Sequence, residues 1–184
     1  DPSSIEVYLD EGTYPNPSGL VRGRAYLDPG SYNPSSPGDS AGVDTMLRGN
    51  FRPLKPGADQ DYEVLPNVYG DQFLVLRLRR SITAESQMLA VRYRYQQTKG
   101  GPFLTMGVDT IPEFDAGGAR EGTSIGLKLV RAPLSLLPAD ANGDFDPANP
   151  FVATREMELR NFYQLGGQGI DPKTFQIEIS RGDE

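Results

Sequence analysis

The sequence predicts an all-β, antiparallel fold, a β-sandwich or jelly-roll with long Pro/Gly-rich loops. Three observations carry this. The apolar residues recur mostly with a period of two, the strand period. Gly (21) and Pro (16) are abundant in 184 residues, which implies many turns. The aromatic residues are nine Tyr and eight Phe, types enriched in strands. The length suits one domain, or two small ones sharing a core, and a single domain spanning 1–184 is expected.

The elements follow in order. Ile5, Val7 and Leu9 alternate with polar neighbours in a first strand. Residues 20–27 (LVRGRAYL) form a second, weaker one, and 28–44 a long surface loop by composition. A short strand at 61–65 (DYEVL) precedes two clear runs, 72–79 (QFLVLRLR) and 88–95 (MLAVRYRY), expected to pair with each other. Leu74, Leu76 and Leu78 share one face of the first; Leu89, Val91, Tyr93 and Tyr95 share one face of the second. Further strands are expected at 103–108 and 124–130, then a Pro/Asp/Asn loop at 132–151. Residues 156–165 fit a helical face (Leu159, Phe162, Tyr163) or a strand face (Met157, Leu159, Asn161, Tyr163, Leu165). Strand is favoured there because Gly166 and Gly167 punctuate its end, and 174–180 is the last strand expected.

Composition narrows the function. His, Cys and Trp are absent, so thiol catalysis and a Ser-His-Asp site are excluded, and zinc loses its commonest ligands. The net charge of −7 argues against a nucleic-acid partner. No apolar run reaches the ~20 residues of a spanning helix. The opening D-P-S-S-I is not a signal peptide, as expected of an exported chain that has lost one or of an excised piece. No phosphate loop follows from the Gly clusters. Carboxylate pairs such as Asp59 with Asp61, or Asp115 with Glu121, are the only hydrolase-like feature, and an activity is not expected of them. The R-G-D at 181–183 is read as a chance match.

Two candidate sites remain. Arg77, Arg79, Arg92 and Arg94 fall on the polar faces of the expected strand pair, with Tyr93 and Tyr95 beside them. Like charges across a sheet repel, so acidic groups are expected nearby, Asp61 and Glu63 first among them. The patch reads either as an interface for an acidic partner or lipopolysaccharide, or as a neutralised, solvated sheet face. The second site is D-A-N-G-D-F-D at 140–146, where Asp140, Asn142, Asp144 and Asp146 set oxygens at alternate positions, as Ca2+ loops do. Phe145 replaces the usual turn Gly and Phe151 the usual final Glu, so an Asx-rich turn is the alternative.

An ordered set of motifs then resembles a known family. It comprises G-A-D-Q-D-Y-E-V at 57–64, a run from Gly70 through F-L-V-L-R-L to M-L-A-V-R-Y-R-Y at 88–95, L-K-L-V at 127–130, and E-M-E-L-R-N-F-Y-Q-L-G-G-Q-G-I-D-P-K-T-F-Q-I-E-I at 156–179. It looks like the SprA (Sov) family of gliding-motility cell-surface proteins, over about residues 55–180. The family's acidic D-E-V-L-A-V-A-Y stands here as S-Q-M-L-A-V-R-Y, and the 28–44 loop has no counterpart. The resemblance implies a fragment of the outer-membrane translocon of type IX secretion, either a soluble inserted β domain or part of the cap. Its expected partners are other parts of the barrel, secretion subunits or cargo protein. The alternatives are a free-standing, calcium-stabilised extracellular β-sandwich that binds carbohydrate or mediates adhesion, and a self-assembling fibre protomer.

Overall fold

The computed structural model describes residues 2–12, 18–28, 45–66, 74–79, 82, 85–140 and 143–158. The fold is all-β, as expected, but its centre is a closed five-stranded barrel in place of a sandwich or jelly-roll. The barrel strands are β1 (Glu6–Asp10), β2 (Val21–Tyr26), β3 (Met46–Pro53), β6 (Met88–Tyr95) and β9 (Arg120–Arg131). Around the ring β1 pairs with β3, β3 with β2, β2 with β9, β9 with β6, and β6 with β1. An odd number of strands cannot alternate direction all the way round. One pair must run parallel, and β2 with β9 is that pair, Gly23 to Tyr26 against Ile125 to Lys128. A register shift between Leu89 and Ala90 accompanies closure at β6–β9.

Beyond the ring, β6 and β9 carry outer partners. The second half of β6 pairs with β7 (Leu104–Met106), and the first half of β9 with β8 (Val108–Phe114). Gly107, at φ 115°, separates β7 from β8 and so splits the single strand expected at 103–108. The remaining strands, β4 (Tyr62–Pro66) and β5 (Leu74–Leu78), form a separate two-stranded sheet. The expected pairing of 72–79 with 88–95 is therefore not made. The neighbour of β5 is β4, and β6 belongs to the barrel.

Strand alternation sorts the apolar residues into two cores. The barrel interior holds Tyr8, Ala25, Phe51, Met88, Ala90, Leu127 and Leu129. The outer faces of β1 and β6 supply Val7, Leu9, Leu89 and Val91, covered by Tyr62, Val64, Leu76 and Leu78 of the β4–β5 hairpin. The Tyr62 hydroxyl donates to the Ile5 carbonyl at 2.7 Å and ties the hairpin down. Both faces of β6 are thus buried through Met88–Val91, which explains its continuous apolar start.

A five-stranded ring encloses little space, and glycines make room in it. A Cβ on Gly23 would lie 2.7 Å from the Phe51 ring, and one on Gly49 would run into Asp10 and Met88. Gly23→Ala is expected to cost about 1–3 kcal/mol in urea denaturation through overpacking. An unchanged midpoint would mean that the Phe51 ring has space to move.

The segment 132–151 is irregular, as expected of a loop, with 3-10 turns at Leu134–Leu136 and Pro150–Val152. It is not only surface, however. Ala132, Leu137, Phe145, Phe151 and Val152 pack on the barrel interior. The helix α1 (Ala153–Glu156) follows, so the strand expected from 156 does not begin there. The rest of that strand, the 174–180 strand, the R-G-D and residues 29–44 lie outside the described residues. Among the described residues no helix is long and apolar enough to cross a membrane.

Candidate functional site

The four sequence-selected arginines do not form one patch. Leu76 and Leu78 of β5 face the barrel, so Arg77 and Arg79 face away from it. Both approach Glu63, at 4.0 and 3.9 Å, and Glu63 sits directly opposite Arg77 in the register. The expectation of Glu63 as counter-charge is met. Asp61 is used elsewhere, its Oδ2 accepting from the Lys55 N–H at 2.8 Å.

On β6, Val91 and Tyr93 face the hairpin, which sends Arg92 and Arg94 to the opposite side of the sheet. Arg92 donates twice to Glu6 (3.1 and 2.9 Å) and also contacts Asp109. Tyr8 donates to the same Glu6 at 2.6 Å. Glu6 is therefore held below the usual carboxylate range, its partial burial outweighed by Arg92 and Tyr8. The Arg94 guanidinium stands 5.5 Å from the centre of the Phe103 ring. The rings of Tyr93 and Tyr95 are 6.1 Å apart and tilted by 59°.

Asp140, Asp144 and Asp146 line one open cleft of about 490 Å3 with Phe145, Pro138, Ala139 and Pro147. Asn142 lies outside the described residues. Asp140 Oδ1 accepts from the Asp144 N–H at 2.9 Å, and Asp146 Oδ1 from the Ala148 N–H at 2.9 Å, both Asx-type closures. Among the described residues no three carboxylates converge as a metal group would require. The Asp115 of the sequence-selected carboxylate pairs closes the β8–β9 turn, accepting from Gly117 and Ala119.

The densest polar constellation was not singled out from sequence. On the outer face of β2 and β3, Arg22 opposes Asn50 and Arg24 opposes Arg48. Two arginines face to face would repel, and Glu113 of β8 lies between them. Its carboxylate accepts from Arg24 Nε at 2.8 Å and Nη2 at 2.5 Å, and from the Ser124 hydroxyl at 2.6 Å. Arg48 Nη1 adds a longer contact at 3.4 Å. Arg24 and Glu113 are 6% and 8% exposed, so the pair is largely buried, with Glu113 at the edge of a cleft. Arg24, with help from Ser124 and Arg48, holds the Glu113 carboxyl down to about 2. Beside this pair opens a cleft of about 260 Å3, lined by Arg22, Gly23, Arg48, Gly49, Asn50, Glu113, Glu121 and Ser124. The signal in the sequence was R-G-R at 22–24 and R-G-N at 48–50, polar residues flanking a glycine at strand period.

No family model, no curated protein and no solved structure matches the chain.

Proposed function

We propose that this chain is a non-enzymatic, surface-exposed structural module of a SprA-like outer-membrane translocon, serving type IX secretion and gliding motility. The observation that carries the reading is a packed barrel flanked by open strand edges. Side chains fill the ring, so it is a rigid block and not a pore. Among the described residues β7 and β8 each keep one unpaired edge. Phe103, Leu104 and Phe114, 53%, 37% and 49% exposed, lie on or beside them. Such edges accept a strand from another polypeptide, and exposed aromatics anchor it. Parts of the parent barrel, secretion subunits or cargo are the partners the motif resemblance points to.

The test is the mass and fractionation of the native polypeptide, blotted with an antibody to this chain. A band many times larger than 20.1 kDa in the outer-membrane fraction supports the translocon. A released band near that mass overturns it. The same open edges favour, second, a fibre protomer. Light scattering that rises with concentration, and falls on Phe103→Ser with Phe114→Ser, would select it.

Calcium at the 140–146 loop is a separate proposal, supported by the three aspartates on one cleft. Chelation is expected to lower the Tm, and Asp144→Ala to abolish that difference. Equal Tm with calcium and with chelator discards the site.

A further inference from the structure

The cleft beside the buried Arg24–Glu113 pair has unspent positive charge. Arg24 is committed to Glu113 by two short bonds. Arg48 touches Glu113 only at 3.4 Å, through an oxygen Arg24 already occupies, and its side chain is 66% exposed. Among the described residues no carboxylate pairs with Arg22 or with any remaining donor of Arg48. Arg22 and Arg48 face Glu113 and Glu121 around the cleft, and Arg24, beside it, already neutralises Glu113, which leaves one net positive charge.

The register converts this charge into a geometry. Arg22 and Arg48 are diagonal neighbours across the β2–β3 pair, since Arg22 opposes Asn50 and Arg48 lies two residues before it. Diagonal positions are about 7–8 Å apart, within reach of two long side chains converging on one ligand. Between them the floor is the opposed backbone of Gly23 and Gly49. A side chain on either glycine would press inward, against Phe51 for Gly23 and against Asp10 and Met88 for Gly49, and not onto this floor.

We propose that this cleft is a carboxylate-binding site, in which Arg22 and Arg48 clamp one carboxylate and Asn50 supplies an amide at its side. Guanidinium forks match planar carboxylates. A single net charge suits a monoanion, and Glu121 on the wall repels a phosphate dianion. The volume, about 260 Å3, is below the ~300–1,000 Å3 of typical small-molecule pockets, so it takes a side-chain-sized group. The carboxylate comes from an acidic side chain of a polypeptide or from a small organic acid. The inference rests on the cleft alone and is independent of the translocon reading.

The experiment is an NMR titration of the isolated chain at pH 7, following the Arg Nε–H groups and the Gly23 and Gly49 amides. The probes are acetate, an end-capped Ala-Glu-Ala peptide, its Ala-Gln-Ala counterpart and inorganic phosphate. Saturable shifts with acetate and the Glu peptide, and none with the Gln peptide, are expected. Arg22→Gln with Arg48→Gln should weaken binding at least tenfold, while Arg52→Gln, a β3 arginine outside the cleft, leaves it unchanged. Unperturbed amides elsewhere show that the variants fold. Tighter binding of the peptide than of acetate assigns the site to a polypeptide side chain, and equal binding to a free acid. Equal response to Glu and Gln peptides, tighter binding of phosphate than of acetate, or unweakened binding by the double variant overturns the site.

Discussion

Replacing Glu113 with alanine is expected to destabilise the chain by about 3–5 kcal/mol, read as a fall in the urea midpoint. The change strands Arg24, 6% exposed, without its counter-charge, and places it opposite Arg48. It also removes the acceptor of the Ser124 hydroxyl. Arg24→Met together with Glu113→Leu should restore most of the loss, because no buried charge then remains. A Glu113→Ala loss below about 1 kcal/mol would mean that water reaches the pair. The same carboxylate sets an acid limit. Its folded value, about 2, lies below its ordinary 4.5. Its contribution, about 3 kcal/mol, is therefore complete above pH 4.5 and is lost as pH falls from there towards 2. Stability measured between pH 6 and 2 should show that slope, and Glu113→Gln should flatten it.

Phe51→Ala is expected to cost about 3–5 kcal/mol. The ring is fully buried in the barrel and presses against Gly23. Strands hydrogen-bonded round a closed ring have little freedom to collapse into the vacated space. Phe51→Leu, which keeps most of the volume, should cost less than half as much. Equal losses for the two would show that the aromatic shape matters more than the filled volume.

Strands with a clean period of two were legible in the sequence. The run 88–95 coincides with β6, and 61–65, 72–79 and 124–130 each overlap a strand. β3 was missed because its inward face reads Leu47, Gly49, Phe51, and a central glycine breaks the apolar rhythm. β8 carries Pro112, which reads as a breaker, yet it is an outer strand where proline is tolerated. Pairing was harder than existence. The two clearest runs are close in sequence, but β6 closes the ring against β1 and β9 while β5 returns to β4. Individual charges were visible: of the two acids expected near the arginines, Glu63 approaches Arg77 and Arg79, while the Asp61 carboxylate does not. Arg24 and Glu113 are 89 residues apart, and no local pattern joins them.

The parallel β2–β9 contact joins residues about a hundred positions apart, since Ala25 meets Leu127. Loop-closure entropy therefore opposes the last step of folding. While the chain emerges from the ribosome, β2 and β6 each wait with an unsatisfied side until residues 125–131 appear. Adjacent pairs such as β4–β5 and β8–β9 can form first, the ring only afterwards. The late seam makes refolding slow relative to hairpin formation, in milliseconds to seconds. An unfinished chain exposes the same backbone that later seals the molecule, and a chaperone bound to that backbone would hold it open.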